Sequence, residues 1–96
     1  MTSPNNSILT LAEEVIYGDR EKTYGHPSKN LALIAAYWTA HINSKYGVNL
    51  TLTIDDVCGM MILLKQARLA NQPDHKDSLV DLCGYAALQE RCIQGK

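Results

Sequence analysis

Lys65 and Arg68 stand three residues apart. On a helix that spacing puts both cations on neighbouring positions of one side. Two such cations can receive a phosphate or diphosphate, with arginine offering a bidentate fork. The same pair can instead form salt bridges to a neighbouring helix or complement a helix C-terminus. Asp74, Asp77 and Asp81 follow at i, i+3, i+7. A row of carboxylates on one helical face can hold Mg²⁺ through oxygen ligands. Capping by Asp74 or Asp77, with Asp81 paired to Lys65 or Arg68, would use the same residues structurally. The third constellation is the loop Asp19-Arg20-Glu21-Lys22-Thr23-Tyr24-Gly25-His26-Pro27. Arg20 can bind phosphate, Tyr24 can stack on a base, and Gly25 lets backbone approach a ligand. A connecting loop with Tyr24 packed on the body is the alternative.

Other reactive residues carry less. His26, His41 and His75 lack metal-ligand spacing to a cysteine or to each other. The cysteines, Cys58, Cys83 and Cys92, are odd in number and form no CxxC. Cys58 and Cys83 sit in apolar runs, so both are expected to be buried and unbridged. No GxSxG, P-loop, HExxH or GxGxxG occurs, so nucleophilic catalysis has no support.

The elements that must position these residues are helices. Ile8, Leu11, Ala12, Val15 and Ile16 fall on one face of a helix over 8–17, with Ser7 as N-cap and Gly18 after its end. Residues 1–7 are expected to be a flexible lead. Pro27 suits the first turn of a second helix, which runs to about Lys45 and ends at Gly47. Its stripe is Leu31, Ile34, Ala35, Trp38 and Ile42. The stretch 48–52 alternates but has no strand to pair with, so it reads as loop. Thr53 and Asp56 form a capping box for a third helix, about 54–70, whose expected buried stripe is Ile54, Val57, Met60, Met61, Leu64 and Ala67. Asn71, Gln72 and Pro73 stop it, and a fourth helix covers about 75–93 with Leu79, Val80, Leu82, Cys83, Ala86 and Ala87 on its apolar side. Gly59 and Gly84 lie inside helices, which suggests close helix approach there. The fold class is all-α: a small four-helix bundle with one short N-terminal helix, 1–96 as a single domain, and helices two to four doing most of the packing.

Composition agrees. Of 96 residues 46% are hydrophobic, enough for one small core, and the net charge of -1 excludes a basic nucleic-acid coat. No run of about 18 apolar residues spans a membrane. The polar, then acidic N-terminus does not resemble a signal peptide, so a cytoplasmic location in a host cell is expected. The short first helix cannot cover the core alone, and a homo-oligomer, a dimer or a higher even form, is the expected remedy.

The strings GDREKTYGHPSKN and TIDDVCGMMILLKQARLANQPDHKDSLVDLCGYAAL resemble a family of small uncharacterised phage and prophage proteins. The shared pattern is GDR…YG.P, K..RL and PDH.DSL.D..GYA, over roughly 10–90. The resemblance implies a phage or prophage origin and a helical fold. A weaker likeness reaches nucleotide-modification-associated domains and the MazG-like and dimeric dUTPase-type all-α NTP pyrophosphohydrolases. Those enzymes hold Mg²⁺ and a nucleoside triphosphate with ExxE and ExxD motifs. Here Lys65-x-x-Arg68 stands where ExxE would fall, and Asp77-x-x-x-Asp81 replaces ExxD. Cations cannot bind Mg²⁺, so the likeness implies phosphate binding without hydrolysis.

Three readings follow. The first is a non-catalytic binder of a nucleotide or nucleotide-like phosphate ligand. Lys65, Arg68 and Arg20 contact phosphate in it, Tyr24 and Tyr85 the base. The second is a degenerate MazG-like, Mg²⁺-dependent pyrophosphohydrolase using Asp74, Asp77 and Asp81. The third is an interaction module for a host or phage protein. Lys65 and Arg68 are expected to face Asp77 and Asp81 across a short antiparallel hairpin.

Overall fold

Ser7 opens the first helix, α1 (Ile8–Tyr17), with its Oγ accepting from the Thr10 backbone N–H at 3.1 Å. The structure is a computed structural model that describes residues 7–17 and 26–93; of 15–17 it gives the backbone alone. Gly18 and the loop through Gly25 lie outside the described residues.

The second helix, α2 (Pro27–Tyr46), begins with Pro27 and is capped by His26, whose Nδ1 accepts from the Ser28 N–H at 3.1 Å. It ends at Gly47, which adopts φ 62°, ψ 35° and donates its N–H to the Asn43 carbonyl at 3.0 Å. Only glycine takes that left-handed conformation without steric cost. The chain then folds back along α2 as a loop. The Asn43 side chain makes both backbone bonds of Leu50, each 2.9 Å, and Thr39 Oγ1 accepts from the Leu52 N–H at 2.9 Å. Side chains of α2 thus replace the missing strand partner.

Thr53 starts α3 (Ile54–Asn71) with a complete capping box. The Asp56 N–H reaches Thr53 Oγ1 at 3.4 Å, and the Thr53 N–H reaches the Asp56 carboxylate at 2.8 Å. The last helix, α4 (Lys76–Ile93), follows a tight turn. Its cap is not an aspartate. His75 Nδ1 accepts from the Ser78 N–H at 3.2 Å, and the His75 carbonyl accepts from the Leu79 N–H at 3.2 Å. Asp74 lies one residue too early to cap, and Asp77 is already inside the first turn.

Helices α3 and α4 form the most extensive contact, an antiparallel hairpin, and α1 packs on α4. Helices two to four make most of the packing, as expected, yet the short α1 contributes more than its length suggested. α2 touches α3 less than α1 touches α4, because its buried residues, Leu31 and Ala35, lie in its first half. The core joins Leu31, Ala35, Val57, Cys58 and Leu88, flanked by Trp38, Met61 and Tyr85. Each large aliphatic side chain buried there contributes about 1.5–3 kcal/mol.

The expected stripe of α3 is also corrected. Ile54, Val57 and Met61 turn inward, whereas Met60 and Leu64 are more than 40% exposed. Residues 57–64 are uncharged all round the helix, so spacing alone could not choose the buried side. Cys58 is fully buried, but Cys83 and Cys92 are half-buried; all three are free thiols. Gly59 and Gly84 do not mark close helix approach, since a Cβ at either meets nothing within 4 Å. Among the described residues no helix is long and apolar enough to cross a membrane.

Candidate functional site

The α3–α4 turn gathers polar side chains from the end of α3, the turn and the cap of α4 around an open groove. Leu64, Ala67, Arg68 and Asn71 follow i, i+3, i+4, i+7 and therefore share one face of α3. With Gln72 and His75 they line a cavity of about 500 Å³. Leu64 and Ala67 make its apolar wall. Arg68, Asn71 and Gln72 supply side-chain N–H donors.

His75 adds a fourth donor for a reason internal to the fold. Its Nδ1 accepts the Ser78 backbone N–H, and a backbone amide can only donate. The neutral ring must then carry its proton on Nε2. Ser78 is almost completely buried, with its Oγ 2.8 Å from the same Nδ1, which fixes the ring.

Lys65 and Arg68 part company. The Lys65 ammonium sits 3.0 Å from the Asp81 carboxylate, and its side chain is only 12% exposed against 39% for Asp81. Arg68 lies about 60° round the helix from Lys65. It is exposed, lines the groove, and has no side-chain partner among the described residues. The expected contact of the pair with Asp77 and Asp81 therefore holds for Lys65 and Asp81. Asp77 is exposed and makes no ion pair with Arg68.

The three aspartates do not form a carboxylate row. Helical spacing needs all three aspartates in one helix, yet α4 begins at Lys76 and Asp74 precedes it. Asp81 is held by a cation. Among the described residues no three His, Cys, Asp or Glu side chains are grouped to hold a metal ion. Asp74, Asp77 and Asp81 are thus not assembled as a Mg²⁺ site. Arg20 and Tyr24 lie outside the described residues. Tyr85 packs against the core cluster, ten residues or about 15 Å along α4 from His75, and does not line the groove.

Cys58 and Cys92 are quiet thiols. Burial, then the neighbouring Cys92 and Asp55, pushes Cys58 up to about 11. Burial also raises Cys92, against the lowering effect of Arg91. A raised thiol holds its proton and is a poor nucleophile.

Sequence reasoning passed over His75, Asn71 and Gln72. The last two read as helix stops, and His75 reads as a histidine without metal-ligand spacing. The signal available was His75 three residues before Ser78, the register of an N-cap and its N3 residue.

Residues 7–93 match the family described as Domain of unknown function (DUF6378). The chain belongs to that family. It is 46% identical over 85 residues to the Gene 55 protein of Mycobacterium phage L5, covering 88% of this chain and 51% of that protein. It is 37% identical over 90 residues to the Gene 55 protein of Mycobacterium phage D29, covering 94% and 56%. The chain therefore spans about half the length of these curated relatives. No solved structure matches. The expected phage protein family is thereby supported by relatives that are themselves phage proteins.

Proposed function

We propose that the chain binds a phosphate-bearing, nucleotide-like ligand at the α3–α4 turn and does not act on it chemically. The observation that carries this reading is the exposed Arg68 guanidinium, without a side-chain partner among the described residues, lining the same groove as His75, Asn71 and Gln72. Arginine forks match phosphate oxygens, and amide and imidazole N–H groups add further donors. The beginning of α4 turns its positive dipole end toward this turn. Leu64 and Ala67 offer an apolar wall on which a base can lie. Lys65, given earlier as a phosphate contact, serves instead to tie α3 to α4. Hydrolysis assisted by Mg²⁺ is the less favoured reading, because Asp81 is engaged and Asp74 stands outside the helix.

The test is thermal unfolding of the full chain with nucleoside mono-, di- and triphosphates and inorganic phosphate, with and without Mg²⁺. A ligand at one hundred times its Kd adds about 2.7 kcal/mol, a rise of roughly 10 °C or more for a domain of this size. Arg68→Gln should abolish the rise and leave the unliganded Tm nearly unchanged, since the guanidinium is exposed and has no side-chain partner among the described residues. His75→Asn should keep the cap and weaken the rise, whereas His75→Ala should also cost about 1 kcal/mol of stability. If no phosphate compound stabilises the wild-type chain, or if Arg68→Gln leaves the rise intact, the reading is wrong. Release of pyrophosphate only in the presence of Mg²⁺ would favour the hydrolase instead.

A further inference from the structure

We propose that the extended segment 48–52 pairs, backbone edge to backbone edge, with the same segment of a second copy of this chain. The inference is independent of the groove at the α3–α4 turn. It starts from where the backbone groups of the segment point. The Asn43 side chain takes both the N–H and the C=O of Leu50, each at 2.9 Å, and Thr39 Oγ1 takes the Leu52 N–H at 2.9 Å. One amide spans both groups of a single residue where the backbone is extended, because there the N–H and C=O of that residue point the same way. An extended chain alternates, so the groups of Asn49 and Thr51 point away from α2. Among the described residues the backbone of neither makes a hydrogen bond, and residues 48–51 are all exposed.

That edge is complementary to itself. In an antiparallel ladder the two residues of a hydrogen-bonded pair exchange both N–H···O bonds, and such pairs recur at every second residue. A two-fold axis at Leu50 sets Asn49 opposite Thr51 of the second copy and Thr51 opposite its Asn49. Every outward donor and acceptor of both residues then finds a partner. Leu50 meets its own counterpart between those pairs, with Cα atoms about 4.5 Å apart and side chains touching. Val48 falls opposite Leu52 of the second copy, so the apolar row Val48, Leu50, Leu52 continues across both strands.

This symmetry singles out a second copy as the occupant, and the edge carries nothing to repel one. Exposed strand edges are ordinarily guarded by charges, proline or a bulge. Residues 47–54 contain no Asp, Glu, Lys, Arg or Pro, so two copies meet without like-charge repulsion. Alternating Val, Leu and Thr suit a pleated strand. The segment is also preformed. Asn43 and Thr39 hold its inner edge, and Gly47 and the Thr53–Asp56 box fix its two ends. Little further ordering offsets the new bonds.

Light scattering and amide hydrogen exchange of the full chain, from micromolar to millimolar concentration, test this. The expected result is a rise to twice the chain mass. Over the same range the Asn49 and Thr51 amides should slow, whereas the Leu50 and Leu52 amides should be slow at every concentration. Asn49→Pro with Thr51→Pro removes both outward N–H groups and breaks no hydrogen bond among the described residues. It should weaken pairing roughly thirtyfold or more, the equivalent of about 2 kcal/mol, and leave the helical circular dichroism unchanged. A charge exchange tests the register with the N–H groups intact. Asn49→Lys with Thr51→Lys sets like charges opposite each other and should hold the chain at single mass. Asn49→Lys with Thr51→Glu sets opposite charges there and should regain double mass. A wild-type chain at single mass throughout overturns the proposal. So does double mass in the variant with two lysines, or double mass with Asn49 and Thr51 amides exchanging equally fast at every concentration.

Discussion

Asp81→Asn should destabilise this protein more than Lys65→Met does, although both break the same ion pair. At 3.0 Å two unit charges attract by roughly 5.5 kcal/mol at an effective dielectric of 20 and roughly 1.4 kcal/mol in bulk water. The pair stands between those limits, because Lys65 is 12% exposed and Asp81 is 39% exposed. Desolvation offsets much of the attraction, which leaves a coupling of about 1–2 kcal/mol. The two single changes strand different partners. Asp81→Asn leaves an ammonium largely out of water, at a cost of about 2–3 kcal/mol. Lys65→Met keeps the aliphatic stem in place and leaves a carboxylate that water already reaches, at a cost of about 1 kcal/mol. Urea unfolding followed by circular dichroism, on both singles and the double variant, measures all three numbers. At 4–8 °C per kcal/mol the Asp81→Asn change should lower Tm by roughly 8–24 °C. Additivity of the two changes within about 0.3 kcal/mol would refute the coupling. A larger loss from Lys65→Met than from Asp81→Asn would refute the assignment of Lys65 as the buried partner.

Gly59→Ala and Gly84→Ala should each raise stability by about 1 kcal/mol, read by the same urea titration, because neither added methyl meets a neighbour within 4 Å. Cys58, raised to about 11, should resist alkylation at pH 8 in the native chain and react readily once unfolded. The folded state keeps that proton longer than the unfolded state, whose thiol titrates near its ordinary 9.0. The contribution of Cys58 to stability is therefore complete below pH 9 and declines as pH rises through about 11. Cys58→Ala, titrated beside the wild-type chain, should flatten that decline.

Helix limits were legible wherever an end carried ordinary capping chemistry. Ser7, Pro27, Gly47 and the Thr53–Asp56 box each announce a terminus by residue type, and each sits at the end it announces. The start of α4 was legible only to within a residue or two. Histidine rarely caps a helix, and two nearby aspartates offered the commoner chemistry. The buried side of α3 was not legible, because a run from Val57 to Leu64 without a charge presents apolar groups to every direction. Tertiary contacts with α2 and α4 decide which of those groups turn inward.

The candidate site shows the same division. Lys65 and Arg68 look equivalent in sequence, two cations near a helix end. A 60° step around α3 separates them: one faces α4 and meets Asp81, the other faces the groove. Lysine suits the first position, where a flexible stem can be buried and a compact charge meets one carboxylate oxygen. Arginine suits the second, where a planar fork presented to solvent keeps several donors free for an incoming anion. His75 completes that side because capping α4 commits its Nδ1 and leaves Nε2–H as the remaining polar atom of the ring. The turn that ends α3 and starts α4 thereby positions its own donors, and the Lys65–Asp81 ion pair, nearly two helical turns away, holds the two helices in register around it.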